Sequence, residues 1–200
     1  MKRYKRIPVL LSVLSLVAPA AAFGQAPVKA EEPALLTSCG QSPGPVMLKV
    51  VMQRVPVAYE LNPLATADDL KAKKEAGTPY KSLVIVMGAS LKGMGAAGIS
   101  IEDELRRTAA LIEEARKEGI LVIGAHIEGM KRRSQGASAG DTTDEQSIDA
   151  VAPNADLLLI NKEGDSDGRF TAIAKAKKIP LVAVEKNLDL VAALKALYGK

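Results

Sequence analysis

The chain is short of several residue types, and each shortage removes a class of explanation. Its one cysteine, Cys39, rules out an internal disulfide. Its one histidine, His126, has no second histidine or cysteine to join it, so the residue set does not suit a zinc site. Tryptophan is absent and aromatic residues make up 3% of the 200, leaving few rings on which bases could stack. There is no G-x-x-x-x-G-K-[ST], hence no P-loop nucleotide site, and there is no long repeat or low-complexity tract. Beyond residue 24 no apolar run is long enough to span a bilayer as a helix.

What is present begins with an address. Lys2, Arg3, Lys5 and Arg6 precede an apolar run over 7–17 and a small-residue stretch over 18–24, the three parts of a secretory signal peptide. Ser12, Ser15 and Pro19 interrupt the run, which falls short of a membrane anchor. Cleavage after Ala22 or after Gly24 leaves small residues at the recognition positions, and export leads to a periplasm or to the medium. The formal net charge of +4 comes from 27 Lys and Arg against 23 Asp and Glu. The leader's four basic residues account for that whole excess. The mature chain has no bulk positive field, which excludes nucleic acid as a partner on that ground.

About 175 residues remain, enough for one domain with a sizeable core. Residues 25–32, rich in Ala, Pro and charge, are expected to form a flexible tail, and the domain is expected over 33–200. Apolar runs over 34–38, 55–61, 81–87, 120–125, 156–160 and 180–184 read as strands. The run over 83–87 is continuous, as in a strand buried on both faces. Between the strands lie helix starts: Thr66 with Asp69 and Ser100 with Asp103 form capping boxes, and Thr142 and Asn187 are further caps. In the helix that Gly119 ends, Ile101, Leu105, Thr108, Ile112 and Ala115 are expected to face inward. This alternation specifies an α/β fold, a three-layer doubly wound parallel sheet of six strands of Rossmann-like type. The flavodoxin-like order 2-1-3-4-5-6 is preferred to 3-2-1-4-5-6 because it sets the Gly-rich third loop beside the first.

Ligands of such sheets lie beyond the carboxyl ends of the strands, at the switch in strand order. The first loop supplies Ser38, Cys39, Gly40, Gln41 and Ser42, with Ser42 and Pro43 expected to open a helix over 44–53 whose N-terminus favours an anion. The third loop, 88–100, is rich in glycine, which permits close backbone approach. The expected guest is a small polar or anionic ligand held by Ser38, Gln41, Ser42, Ser90, Lys92, Gly93 and Gly95, with Arg132 and Arg133 from the fourth loop. Gly93, Gly95 and Gly98 spell G-x-G-x-x-G. Four residues separate that triplet from Gly88 at the strand end, and the acidic ribose ligand is out of place, so a dinucleotide is disfavoured and no cofactor is assigned. The polar fifth loop, with Asp165 and Asp167, suits a cation or simply a helix cap.

Two other readings stand beside this one. In the first, a hydrolase or transferase attacks with Cys39 or Ser42 and uses His126 as base. Set against that, a lone cysteine is commonly a small core filler and a lone histidine at a strand end a structural hydrogen-bonder. In the second, the domain is an envelope protein-interaction module whose polar loops dock a membrane transporter or another exported partner, with a shallow crevice and an exposed apolar patch elsewhere.

Taken together, residues 37–42, 64–70, 88–98, 126–133, 151–153 and 167–170 resemble an uncharacterised family of exported bacterial α/β proteins, over roughly 33–186. The resemblance implies a Rossmann-type domain and no settled activity. Its pattern holds Gly40-Gln41-Ser42 without requiring the cysteine, and includes the two arginines before Ser134.

Overall fold

The computed structural model describes residues 28–134 and 142–200. The leader with its cleavage positions lies outside them, as do residues 135–141 of the fourth loop. The elements are β1 (Ala34–Cys39), α1 (Gly44–Met52), β2 (Tyr59–Leu61), α2 (Ala67–Glu75), β3 (Ser82–Met87), α3 (Leu91–Ala97), α4 (Ile101–Glu118), β4 (Leu121–His126), α5 (Thr143–Val151), β5 (Leu157–Asn161), α6 (Arg169–Lys177), β6 (Leu181–Val184) and α7 (Leu190–Tyr198). Short 3-10 turns occupy Gly129–Arg132, Ala152–Asn154, Lys162–Asp165 and Asn187–Asp189.

The six strands form one sheet in the order β2-β1-β3-β4-β5-β6, with every pairing parallel. This is the flavodoxin-like order expected from the sequence. Right-handed crossovers fix which helix covers which face. The one step leftward, β1 to β2, puts α1 on one face. The rightward steps from β2 onward put α2, α4, α5 and α6 on the other, and α7 returns to join α1. Two cores follow, one holding Leu70, Leu111, Ile112, Ile148, Val151 and Phe170, the other Leu48, Met52, Leu190, Leu194 and Leu197. Each such side chain contributes about 1.5–3 kcal/mol by leaving water. β1, β3 and β5 are buried at every position because both faces are covered.

Several local expectations are corrected. Residues 28–32, expected in a flexible tail, are tied down: Ala30 N donates to Leu197 O at 3.0 Å, and Ser82 Oγ donates to Glu31 O at 2.8 Å. The second strand is shorter than 55–61 because Pro56 lacks a donor and the ladder opens at Tyr59. Part of the glycine-rich third loop is helical, as α3. In α4, Leu105 is only half-buried, while Glu104 is completely so. Thr142 makes no side-chain cap for α5. The capping boxes of Thr66 with Asp69 and of Ser100 with Asp103 are both present.

Candidate functional site

The register between β1 and β3 pairs Ala34 with Ser82 and Cys39 with Met87, so both strands end level and their loops emerge together. Ser90 N donates to Gly40 O at 2.7 Å, and Gln41 bridges Ala89. The first and third loops are thus side by side, and they touch. A Cβ on Gly40 would come 2.5 Å from Gly88 O, and one on Gly93 would come 2.1 Å from Gln41 O. The object that these two glycines approach is the neighbouring loop's own backbone.

The polar groups of the two loops are largely engaged by the protein. Gln41, at φ 55°, donates from Nε2 to Glu104 Oε1 and to Pro63 O, both at 2.9 Å. Ser38 lies within β1, fully buried, and its carbonyl accepts from Arg107. Ser90 caps α3 by accepting from Gly93 N at 3.1 Å. Gly95 has open space around it, and Lys92 is exposed on α3 with no ion pair among the described residues. The first turn of α1 has no amide left for an anion. Pro43 and Pro45 carry none, Gly44 N donates to Ser42 Oγ at 3.2 Å, and Val46 N and Met47 N both donate to Pro43 O at 3.1 Å.

The negative group at that helix end belongs to the chain itself. Glu128 Oε2 lies 2.8 Å from where a Cβ on Gly44 would stand, and Ser42 Oγ lies 3.1 Å from the same point. Glu128 Oε1 accepts from Arg132 Nε at 3.2 Å, whereas Oε2 is buried with no hydrogen-bond partner among the described residues. The positive end of the α1 dipole partly compensates it. Arg132 Nη1 donates to Ala89 O at 2.9 Å, fastening the fourth loop to the third.

Arg133, expected at a ligand, has a side chain only 1% exposed and fully committed. Its Nε donates to Glu145 at 2.7 Å, Nη1 and Nη2 fork onto Asp167 at 3.1 and 2.7 Å, and Nη1 also reaches Gly164 O. Its guanidinium faces the Phe170 ring at 5.6 Å. Burial works against the charge, but the Asp167 and Glu145 carboxylates outweigh it and hold the pKa above its usual value. Asp167 is therefore an arginine partner, while Asp165 accepts from Phe170 N at 2.6 Å and caps α6.

Cys39 and His126 are both buried, and neither is poised for attack. Desolvation pushes the Cys39 thiol up to about 12, which leaves almost no thiolate at neutral pH. His126 sits with Nδ1 3.1 Å from Met87 O and Nε2 3.1 Å from Gly129 O, its ring 4.9 Å from that of Phe170. Desolvation lowers its pKa, the two carbonyls oppose that, and Arg133 adds to it. Each nitrogen faces a backbone carbonyl and the neutral ring donates to one of them, so the ring ties the end of β4 to the end of β3 or to the turn after β4.

The open space at this edge lies elsewhere, on the α1 side. A cleft of about 390 Å³ is bounded by Pro43 and Met47, by Ile127, Glu128, Gly129, Lys131 and Arg132 after β4, by Asn161 and Glu163 at β5, and by Asn187 after β6. Asn161 Nδ2 donates to Asn187 Oδ1 at 3.1 Å, and Asn187 Nδ2 to Ile127 O at 2.9 Å, so the three connections are laced into one wall. Lys131 has no ion pair among the described residues, and Arg132 Nη2 has no protein partner there.

The profile of a domain of unknown function, DUF6305, matches residues 31–198. The chain belongs to that family. No curated protein matches the chain in sequence. Solved structures with a similar course include a putative lipolytic protein of the G-D-S-L family from Desulfitobacterium hafniense DCB-2, 16% identical over 75% of each chain with a TM-score of 0.34. They also include a GDSL-like lipase from Bacteroides thetaiotaomicron VPI-5482, 15% identical over 77% of this chain and 71% of that one, TM-score 0.34. TesA is 16% identical over 74% of this chain and 77% of its own, TM-score 0.31. A likeness of that order says nothing about chemistry.

Sequence reasoning missed Glu104, Asn161 and Asn187 at this edge of the DUF6305 domain. An acidic residue in a helix's first turn reads as a dipole partner, which concealed Glu104. Asn161 stood one residue beyond the expected strand end, and Asn187 had been assigned to a cap. Among the described residues no helix is long and apolar enough to cross a membrane, and no group of three or more His, Cys, Asp or Glu is arranged to hold a metal.

Proposed function

We propose that this domain is exported and binds a small polar or anionic ligand in the cleft between the start of α1 and the loops after β4, β5 and β6. The observation that carries the reading is chemical. At the carboxyl edge, where ligands of open parallel sheets bind, Lys131 Nζ and Arg132 Nη2 are cationic donors without protein partners among the described residues, beside a wall of asparagine amides. Export is supported by the basic, apolar and small-residue order of residues 1–24.

The test is a thermal-shift screen of the purified protein against dicarboxylates, amino acids, inorganic phosphate and sugar phosphates, followed by calorimetry on any hit. Lys131→Ala is expected to weaken a hit severalfold, while Lys92→Ala leaves it unchanged. The opposite pattern moves the ligand to the third loop, and a screen without hits removes the reading.

A further inference from the structure

The cleft does not end at its polar wall. Met47, Ile127 and Asn187 also line an apolar groove of about 330 Å³ that continues between α1 and α7. Met47, Val50 and Val51, at the i, i+3, i+4 spacing of one stripe of α1, form one side with Arg54 from the turn after the helix, and Leu188 and Val191 form the other. Such a stripe is ordinarily sealed by its neighbour. Here Met47 is 38% exposed, Val50 53% and Leu188 62%. The winding leaves this face to two helices, each roughly 10 Å wide, over six strands roughly 4.8 Å apart, and the pair does not close along its length.

We infer that the ligand of the cleft is a single-chain amphiphile with an anionic head, the head at Lys131 and Arg132 Nη2 and the alkyl chain in the groove. The inference rests on the reading of the cleft proposed above. The cleft is lined by two cations, Lys131 and Arg132, and two carboxylates, Glu128 and Glu163, and the cationic donors left without partners set the sign of the head. Glu128 is engaged by Arg132 through Oε1 and its Oε2 is buried. Lys131 and Arg54 have no ion pair among the described residues, and Arg54 lends its aliphatic stem to the far end of the groove. Glu163 is exposed at the rim, its carboxylate against Gly129. The groove, of about 330 Å³, is a bounded recess, which suits a free amphiphile rather than a bilayer. Affinity then grows about three- to fourfold with each methylene that leaves water.

Calorimetric titration of the purified protein with butanoate, octanoate, dodecanoate and dodecyltrimethylammonium tests this. The expected result is a Kd that falls with chain length at that rate until the groove is full, and weaker binding of the cationic amphiphile by about tenfold or more. Val50→Asp, at an exposed position, should weaken dodecanoate at least tenfold and spare butanoate, and Lys131→Glu should weaken both. Butanoate binding without dependence on chain length overturns the amphiphile and leaves the polar cleft standing. So does dodecanoate binding that ignores Val50→Asp. Binding to phosphatidylglycerol vesicles without binding of free dodecanoate, or a dimer that Val50→Asp breaks, makes the groove a membrane or self-association surface and overturns it as well. Failure of these probes together with the whole polar panel removes both readings.

Discussion

Glu104 on α4 accepts from the backbone N–H of Gly40 at 2.8 Å, across 64 residues of sequence. The same Oε1 accepts from Gln41 Nε2 and Arg107 Nη2 at 2.9 Å, and Oε2 accepts from Arg107 Nε at 2.9 Å. The carboxylate is completely buried and its arginine nearly so, 13% exposed at the side chain, yet every oxygen is satisfied. A buried pair with that many partners is held firmly by its surroundings, and removing one member leaves an uncompensated charge. Glu104→Gln is therefore expected to destabilise the domain by about 3 kcal/mol, read as a lower urea midpoint with an unchanged slope. A loss below 1 kcal/mol would mean that Arg107 finds water when its partner goes.

The glycines of the third loop divide into those that touch the first loop and those that do not. A Cβ on Gly93 would overlap Gln41 O at 2.1 Å, a backbone atom that cannot swing aside, whereas Gly95 has nothing within 4 Å. Gly93→Ala is expected to lower stability by more than about 2 kcal/mol, and Gly95→Ala, inside α3, to raise it by up to about 0.5–1 kcal/mol. Thermal denaturation of the two variants side by side checks this. Equal effects would mean that the loops are not in contact.

The same pair marks the limit of what the sequence made legible. Strand order and helix caps could be read because apolar runs, capping boxes and glycine stops are local signals, and crossover handedness turns them into a topology. That loops one and three meet was also readable, since it follows from the strand order. Whether the glycines between them made room for a guest or for each other was not, because both uses need the same absent Cβ. Arg133 and Lys131 show the same ambiguity. They stand two residues apart in one basic run, yet one is gripped by Asp167 and Glu145 and the other faces a cleft, and only side-chain packing separates them.

His126 should give the domain a pH dependence of known sign. Its pKa is depressed in the folded state, chiefly by burial, so on acidification the unfolded chain takes up its proton first. The stability contributed by the neutral ring is complete above about pH 6.5 and is lost as pH falls from there through the folded-state value, at no more than about 1.4 kcal/mol per unit. Carboxylates held low in the fold, such as Asp103 and Glu113, act at more acid pH and do not obscure the window. Urea titrations between pH 8 and 5 should show the loss, and His126→Asn should remove that step. Stability that rose on acidification would mean an imidazolium donating to both Met87 O and Gly129 O.

If residues 1–24 are a cleaved leader, the secreted protein begins at Phe23 or Gln25, and intact mass spectrometry of material from the envelope or medium distinguishes the two. A retained Met1 contradicts cleavage. Truncation farther on is a separate matter, since Ala30 and Glu32 are bonded to Leu197, Ala58 and Lys200. Removing residues through 32 is expected to destabilise the domain, which a tail without contacts would not do.

Cys39 separates a core filler from a nucleophile by reactivity alone. With the thiol pushed up to about 12, the thiolate at pH 8 is about one part in ten thousand, and the sulfur has no exposed surface through which a reagent could approach. Labelling by a thiol reagent must then wait for the chain to open, so its rate is set by the population of the open state. The expected outcome is negligible labelling of the native protein at pH 8 and complete labelling in denaturing urea, with the intermediate rates following the unfolding curve. Cys39→Ala should cost stability and leave ligand binding in the cleft untouched, because its side chain packs in the core on the face of the sheet opposite α1. Rapid native labelling, saturating below pH 8, would instead require a thiolate stabilised at the sheet edge, and an enzyme acting through Cys39 would again be the better account of this domain.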